Sequence, residues 1–276
     1  MARLTGQVAF ITGAARGQGR AHAVRLAEDG ADIIAVDICA PLTSTAYDMS
    51  TEEDLAETAR LVEKHGSRVV TAVADVRDPA ALKTALEQGV AELGGLDIVI
   101  ANAGIAAFSL GHLIDEQEWA ETIDINLSGV WRTVKLAVPH LLERGKGSII
   151  LTCSCASVQG PSHLAHYTAA KHGVLGLVKT FANELGPHNI RVNGLMPTQV
   201  DTPMIMHEGV YSLFRPDLEH PTKDDFVGPS QAGNVLPVPW VEPVDVANAA
   251  AFLCSDEARY ITGVALPIDA GTLIKR

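Results

Sequence analysis

Aromatic residues are scarce: three Trp, four Tyr and six Phe make up 5% of the 276 residues. A core of any size must therefore be filled by aliphatic side chains and alanine. Cysteine is scarce as well. Cys39, Cys153, Cys155 and Cys254 show no paired spacing, which argues against a zinc site or a disulfide framework and leaves buried thiols as the expectation. Basic residues are outnumbered, 21 Lys and Arg against 33 Asp and Glu, for a formal net charge of −12. No basic run offsets that balance, so no nucleic-acid partner is expected, because the phosphate backbone needs clustered cations. No apolar stretch is long enough to span a bilayer. Met1–Gly6 runs almost directly into a candidate strand and lacks the apolar region of a signal peptide, so no membrane association and a cytoplasmic location are expected.

What the chain has instead is alternation. Short, continuously apolar runs at Gln7–Thr12, Asp32–Asp37, Arg68–Ala74, Leu96–Ala101, Gly147–Thr152, Arg191–Met196 and Val264–Ile268 read as strands buried on both faces. Helical patterns such as Gly17–Asp29, Thr51–Lys64 and Pro79–Leu93 lie between them, with start signals at Ser50-Thr51 and Asp78-Pro79. The pattern predicts an α/β fold: a single doubly wound parallel sheet of the Rossmann type, about seven strands, with helices on both faces. One domain over 1–276 is expected. Within it, 197–243 carries eight prolines, and so long a connection inside a compact domain reads as a substrate loop with short helical pieces. Met204, Met206, Tyr211, Phe214 and Trp240 are its candidate apolar pocket residues.

The first strand ends in Thr12-Gly13-Ala14-Ala15-Arg16-Gly17-Gln18-Gly19 and a helix follows. Glycines at such a turn let the backbone approach a pyrophosphate, and the new helix offers free N–H groups and its positive dipole end. Arg16 and Gln18 sit inside the turn. The second strand ends in Asp37, whose carboxylate can accept hydrogen bonds from ribose hydroxyls and would repel the extra phosphate of NADP, with a helix cap as the alternative. Arg16 pulls toward that phosphate, but a carboxylate beside it costs more than one flexible side chain returns, so NAD is the expected cofactor. Asp75 and Val76, after the third strand, are candidates for the adenine, with a helix cap as the alternative for Asp75. Asn102, Ala103 and Gly104, after the fourth, form a small-residue turn along which the cofactor can pass.

Tyr167 and Lys171 stand four residues apart on a helical pattern and so share a face. Ser154 follows the fifth strand. Oxidising an alcohol requires removal of its hydroxyl proton as hydride leaves, and tyrosine, with an ordinary pKa of about 10, is a poor base unless assisted. A neighbouring ammonium favours the phenolate, so Lys171 is expected to bring Tyr167 toward the working range. The Ser154 hydroxyl can hold the substrate oxygen. Asn126, on a long helix after the fourth strand, can hold a water that relays the proton through Lys171. His163 and His166 have no third ligand in view; no metal is expected, and both read as surface or pocket lining.

Taken together, Thr12-Gly13-x-x-x-Gly17-x-Gly19, Asn102-Ala103-Gly104, Asn126, Ser154 and Tyr167-x-x-x-Lys171 resemble the short-chain dehydrogenase/reductase family over essentially the whole chain. An insertion at Ile38–Ser50, with Trp131–Lys135, Phe214–Leu218 and Pro237–Trp240, is similar to the mycofactocin-associated, carveol-dehydrogenase-like branch of that family. The resemblance implies an oxidoreductase acting with NAD on a small secondary alcohol or its ketone, a cyclic or terpenoid-like one such as carveol. It also implies that NAD is held too tightly to exchange, with Ile38–Ser50 covering its adenosine end, and that a mycofactocin-type redox carrier reoxidises it in place. A homotetramer is implied through the helices around Glu116–Leu142 and His163–Leu185, where Ala169, Ala170, Gly173 and Gly176 offer small surfaces that internal packing would explain equally. Two positions depart from the family pattern: Ala101 precedes Asn102, and Thr198 follows Pro197 where glycine is usual. Thr198 is a candidate contact for the carboxamide or diphosphate side of the cofactor. The competing readings are an NADP-linked ketone or acyl reductase and a nucleotide-sensing protein without catalysis; the intact Ser154, Tyr167 and Lys171 count against the second.

Overall fold

The computed structural model describes residues 3–276; Met1 and Ala2 of the leading segment lie outside the described residues. Among the described residues seven strands form one sheet: β1 (Val8–Thr12), β2 (Asp32–Asp37), β3 (Val69–Val73), β4 (Ile98–Ala101), β5 (Gly147–Thr152), β6 (Ile190–Pro197) and β7 (Ala265–Ile268). Their spatial order is β3-β2-β1-β4-β5-β6-β7, all parallel. The strands are apolar on both faces because both are covered. Along β1, Val8 and Phe10 belong to one core and Ala9 and Ile11 to the other, as the two-residue repeat of a strand requires.

Helix α1 (Gly17–Glu28) packs Ala23 and Leu26 on the second core. α2 (Glu52–Glu63) adds Leu55 and Val62 there. It starts at a Thr51–Asp54 capping box. α3 (Pro79–Leu93) covers the opposite face, with Asp78 accepting hydrogen bonds from the amides of Ala80 (2.9 Å) and Ala81 (3.1 Å). Each fully buried Leu or Ile in these layers contributes about 1.5–3 kcal/mol.

The helix expected over Glu116–Leu142 is three pieces: α4 (Glu116–Ile123), a wide π-helical turn over Asp124–Gly129, and α5 (Val130–Arg144). The turn brings the backbone close to β3's exit: a Cβ on Gly129 would stand 2.6 Å from Val76 Cγ2. Such wide turns gather at functional sites, and this one contains Asn126. α6 (Ala165–Leu185) turns His166, Ala170, Val174 and Val178 inward at four-residue spacing, and Lys171 is buried with them. After β6 the chain makes the expected excursion, with α7 (Glu208–Phe214) and α8 (Lys223–Ala232). A parallel bridge between Val200 and Val241 closes its base. α9 (Pro243–Cys254) returns the chain to the second core and leads to β7. No helix among the described residues is long and apolar enough to cross a membrane.

Candidate active site

Strand register decides where the site forms. Thr12 is level with Val36 and Ala101, and Ala101 with Leu151, so Gly13, Asp37, Asn102 and Ser154 leave the sheet along one carboxyl edge. A cavity of about 620 Å³ opens there, lined by residues of all four strand ends and of the 197–243 excursion. This is where ligands of open parallel sheets bind.

One half of the cavity is made of backbone. Gly13 (φ 68°) and Gly17 (φ 53°) occupy left-handed conformations. Gly19 leaves no room for any side chain, since a Cβ would fall 1.8 Å from the Gly13 carbonyl oxygen. The first residue before α1, Arg16, makes no side-chain cap, and no acidic residue lies in the first turn, so its leading N–H groups remain open to an anion. Gln18 Oε1 is buried on the cavity without a partner. Asn102 secures the turn, its Nδ2 donating to the carbonyls of Thr12 (3.1 Å) and Gly13 (3.2 Å). Ala103 lies against Gly13, and a Cβ on Gly104 would meet Asn126 Oδ1 at 2.7 Å. The cradle fits a pyrophosphate.

Asp37 is buried beside it, accepting from the Ala15 amide at 2.9 Å and from Ser50 Oγ at 2.6 Å. It caps no helix; Thr51 does that for α2. Asp75 does not cap α3 either, as Asp78 holds that position. Its carboxylate instead accepts from the Arg77 amide (2.8 Å) and side chain, and Arg77 bridges to Glu121 at 2.7 Å. Asp75 and Val76 both line the cavity. The insertion 38–50 lies along the same half as a strap. Ser44 hydrogen-bonds Glu121, Arg16 donates to the Asp48 carbonyl, and the Tyr47 hydroxyl accepts from the Ala106 amide at 3.3 Å.

The other half carries chemistry. Ser154 starts a short 3₁₀ turn, where its Oγ accepts from the Ala156 amide at 3.1 Å. It also hydrogen-bonds Tyr167, and that bond draws the phenol downward in pKa. Burial acts more strongly in the opposite sense and pushes Tyr167 up to about 12. Lys171 is buried, its ammonium donating to the Thr152 carbonyl at 2.7 Å and standing 5.5 Å from the Tyr167 ring centre. Burial lowers it to about 8. The Lys171 ammonium is directed at a backbone carbonyl, and burial is the largest influence on the Tyr167 phenol.

Asn126 is buried, and both ends of its amide engage Ile105: Oδ1 accepts from the amide and Nδ2 donates to the carbonyl, each at 2.9 Å. Its side chain thus fixes the turn that passes Lys171. Thr198 lines the cavity and hydrogen-bonds Thr272 Oγ1 at 3.0 Å. His163 lines the cavity as read from sequence, but His166 does not reach surface or pocket. It is fully buried, with Nε2 3.0 Å from Glu118 Oε1, because its position on α6 faces inward.

Of the apolar candidates in the excursion, Met204 and Phe214 line the cavity. Met206, Tyr211 and Trp240 do not. They build a separate small core around the fully buried Phe226, whose ring centre is 5.4 Å from Tyr211 and 5.7 Å from Trp240. Sequence reasoning passed over Tyr47, Phe108, Thr202 and Thr272, which all line the cavity. Thr202 sits on the glycine turn, 3.2 Å from where a Gly17 Cβ would be. In a chain so poor in aromatics, a lone Tyr47 inside an insertion was the available signal.

A family model described as short chain dehydrogenase matches residues 7–209. The (-)-trans-carveol dehydrogenase of Rhodococcus erythropolis is 55% identical, and the alignment covers 100% of both chains. The crystal structure of a carveol dehydrogenase from Mycobacterium avium in complex with NAD superposes with a TM-score of 0.98 at 57% identity, covering 100% of both chains. A short chain dehydrogenase from Mycobacterium paratuberculosis bound to NAD gives a TM-score of 0.89 at 44% identity, over 98% of this chain and 99% of that one.

Proposed function

The chain belongs to the short-chain dehydrogenase family, and from that premise we propose that it is an NAD-dependent alcohol dehydrogenase interconverting a small secondary alcohol and its ketone. The observation that carries this reading is one cavity lined by both the glycine cradle and Ser154, Tyr167 and Lys171. Gly13, Arg16, Gly17, Gln18 and Gly19 would hold the diphosphate, Asp37 the adenosine ribose, and Asp75 with Val76 the adenine. Asn102, Ala103 and Gly104 would flank the path to the nicotinamide end, held by Tyr167, Lys171 and Thr198. When bound, NAD supplies a hydride acceptor, and its positive ring favours the phenolate of Tyr167. Tyr167 Oη takes the hydroxyl proton of the alcohol, and Ser154 Oγ donates to the same substrate oxygen as it becomes a carbonyl. Lys171, lowered to about 8, readily gives up and regains a proton near neutral pH and so passes it on. Asn126, by clamping Ile105, keeps the neighbouring backbone in place, and a water held beside it would receive that proton.

NAD rather than NADP follows from two groups. Asp37 presents a buried carboxylate, and Arg16, the one residue of the turn suited to an extra phosphate, is already spent on the Asp48 carbonyl and stands 5.9 Å from the Tyr47 ring centre. Asp37→Ala should relax the preference, raising NADP-linked activity relative to NAD-linked activity by about ten-fold, the weight of a lost charge repulsion.

The substrate side, within the 197–243 excursion of a single domain spanning 1–276, is faced by Met204, Ile205, Leu213 and Phe214. We assign a cyclic, terpenoid-like alcohol such as carveol, the substrate in the names of the Rhodococcus and Mycobacterium avium relatives. The strap's ties to Asp37, Glu121 and Ala106 support a dinucleotide held without free exchange. Electrons then leave through an outside carrier, which we take to be of the mycofactocin type on the chain's resemblance to that branch. We also propose a homotetramer through α5 and α6. Trp131 is 40% exposed, and Ala169 and Gly176 lie on the outer face, whereas Ala170 and Gly173 pack inside, Gly173 against Leu127.

The test is purification without added nucleotide, followed by carveol with and without excess NAD. A single stoichiometric burst of reduced nicotinamide that free NAD does not extend supports the held cofactor. Steady turnover with free NAD keeps the dehydrogenase and removes the carrier. No reduction with carveol or other secondary alcohols rejects the reading.

A further inference from the structure

Two segments far apart in the sequence meet at one imidazole. His207 is the residue that opens α7, in extended backbone (φ −147°, ψ 158°). Its ring centre lies 5.5 Å from that of Tyr47 in the strap and 6.4 Å from Phe108 in the loop after β4. Gly209 lies beneath the ring, so close that a Cβ would come within 3.1 Å of His207 Cε1 and Nδ1. Tyr47 is in turn fixed from two further sides, by the Ala106 amide at 3.3 Å and the Arg16 guanidinium 5.9 Å from its ring centre. Beyond His207, α7 carries Val210, Leu213 and Phe214 to the cavity wall, while His207 itself stands behind that wall. Its Nε2 is buried without a partner, and burial lowers its pKa. Its other ring nitrogen hydrogen-bonds the Met204 backbone within the same loop, so toward the strap a neutral ring contributes through packing.

We propose that His207 is a positioning residue that ties the substrate loop to the cofactor strap, so that the dinucleotide leaves only when the two part together. This rests on the reading of the cavity as an NAD site. The strap cannot lift over the glycine cradle while Tyr47 stays wedged beside His207, and α7 cannot swing outward without giving up the same contact. A ligand that holds α7 down therefore raises the affinity for NAD, and NAD raises that ligand's affinity by the same factor.

The experiment is release of NADH from the full chain, followed by its fluorescence during a chase with excess NAD. His207→Ala should speed release about ten-fold, the size of a single aromatic contact, while His207→Phe, which keeps a ring, stays within about two-fold of wild type. In a Tyr47→Leu background the contact is already gone, so adding His207→Ala should change release by less than about two-fold. Release from His207→Ala at the wild-type rate, loss of control in His207→Phe, or effects of Tyr47→Leu and His207→Ala that multiply in the double variant would each overturn the proposal. Failure of the wild-type protein to bind NADH at all is a different result: it rejects the cofactor reading, and the proposal falls with it.

Discussion

The two halves of the cavity are built from different material. The cofactor half is backbone: the turn from Gly13 to Gly19, cross-braced by Asn102, with no space for additional atoms. The substrate half is side chains hung on a looped-out segment with its own core, where Phe226 meets Tyr211, Phe214 and Trp240. A backbone site recognises what every member of a cofactor class shares, the diphosphate and ribose. A side-chain site can be repacked without disturbing the sheet. In the proposed function Ser154, Tyr167 and Lys171 stand at the seam of the two halves.

That division can be broken from either side. The largest effect should come from Gly19→Ala, whose Cβ would stand 1.8 Å from the Gly13 oxygen. Accommodation requires the turn to open, so NADH binding measured by fluorescence should fall beyond detection, with stability reduced by about 3 kcal/mol or more, as overpacking and backbone displacement cost. Phe226→Ala attacks the other half. It should destabilise the excursion by about 3–5 kcal/mol, the range for a buried Phe. Proteolysis should then cut within 198–241 and alcohol KM should rise, while NADH affinity changes far less. Equal losses of NADH and alcohol binding would erase the distinction between the halves.

A smaller effect belongs to His22 on α1. It is fully buried, neither ring nitrogen has a partner, and burial lowers it to about 4. The unfolded chain binds this proton near pH 6.5 and the folded chain only near 4, so between those values the unfolded state holds more protons and stability falls as pH falls. The loss approaches about 3 kcal/mol by pH 4. His22→Leu should flatten that part of the denaturation profile and raise stability at neutral pH. An unchanged slope would mean that another group titrates there.

The same contrast explains what could be read before the fold was known. Every strand was legible, because buried parallel strands are continuous apolar runs, and the glycine turn, Asp37, Ser154, Tyr167 and Lys171, expected at one site, line one cavity. Met206, Tyr211 and Trp240 were placed in the pocket and are in the small core instead. Apolar character says that a side chain is covered, not by what. The wide turn at Asp124–Gly129 was hidden because its neighbours keep helical periodicity on both sides. His166 read as surface or pocket lining, whereas the register of α6 puts it inside. Tyr167 shows the limit most clearly: proximity to Lys171 was visible at four-residue spacing, whereas the desolvation that dominates its pKa belongs to the assembled cavity.

The central claim is that Tyr167 moves the proton in an NAD-linked alcohol oxidation, and Tyr167→Phe tests it most directly. Single-turnover formation of reduced nicotinamide from the NAD-loaded variant and carveol should fall by about 10³-fold, within the range for loss of a general acid–base group, with NADH affinity near that of wild type. Hydride transfer at the wild-type rate in a variant that binds the cofactor normally would contradict the account.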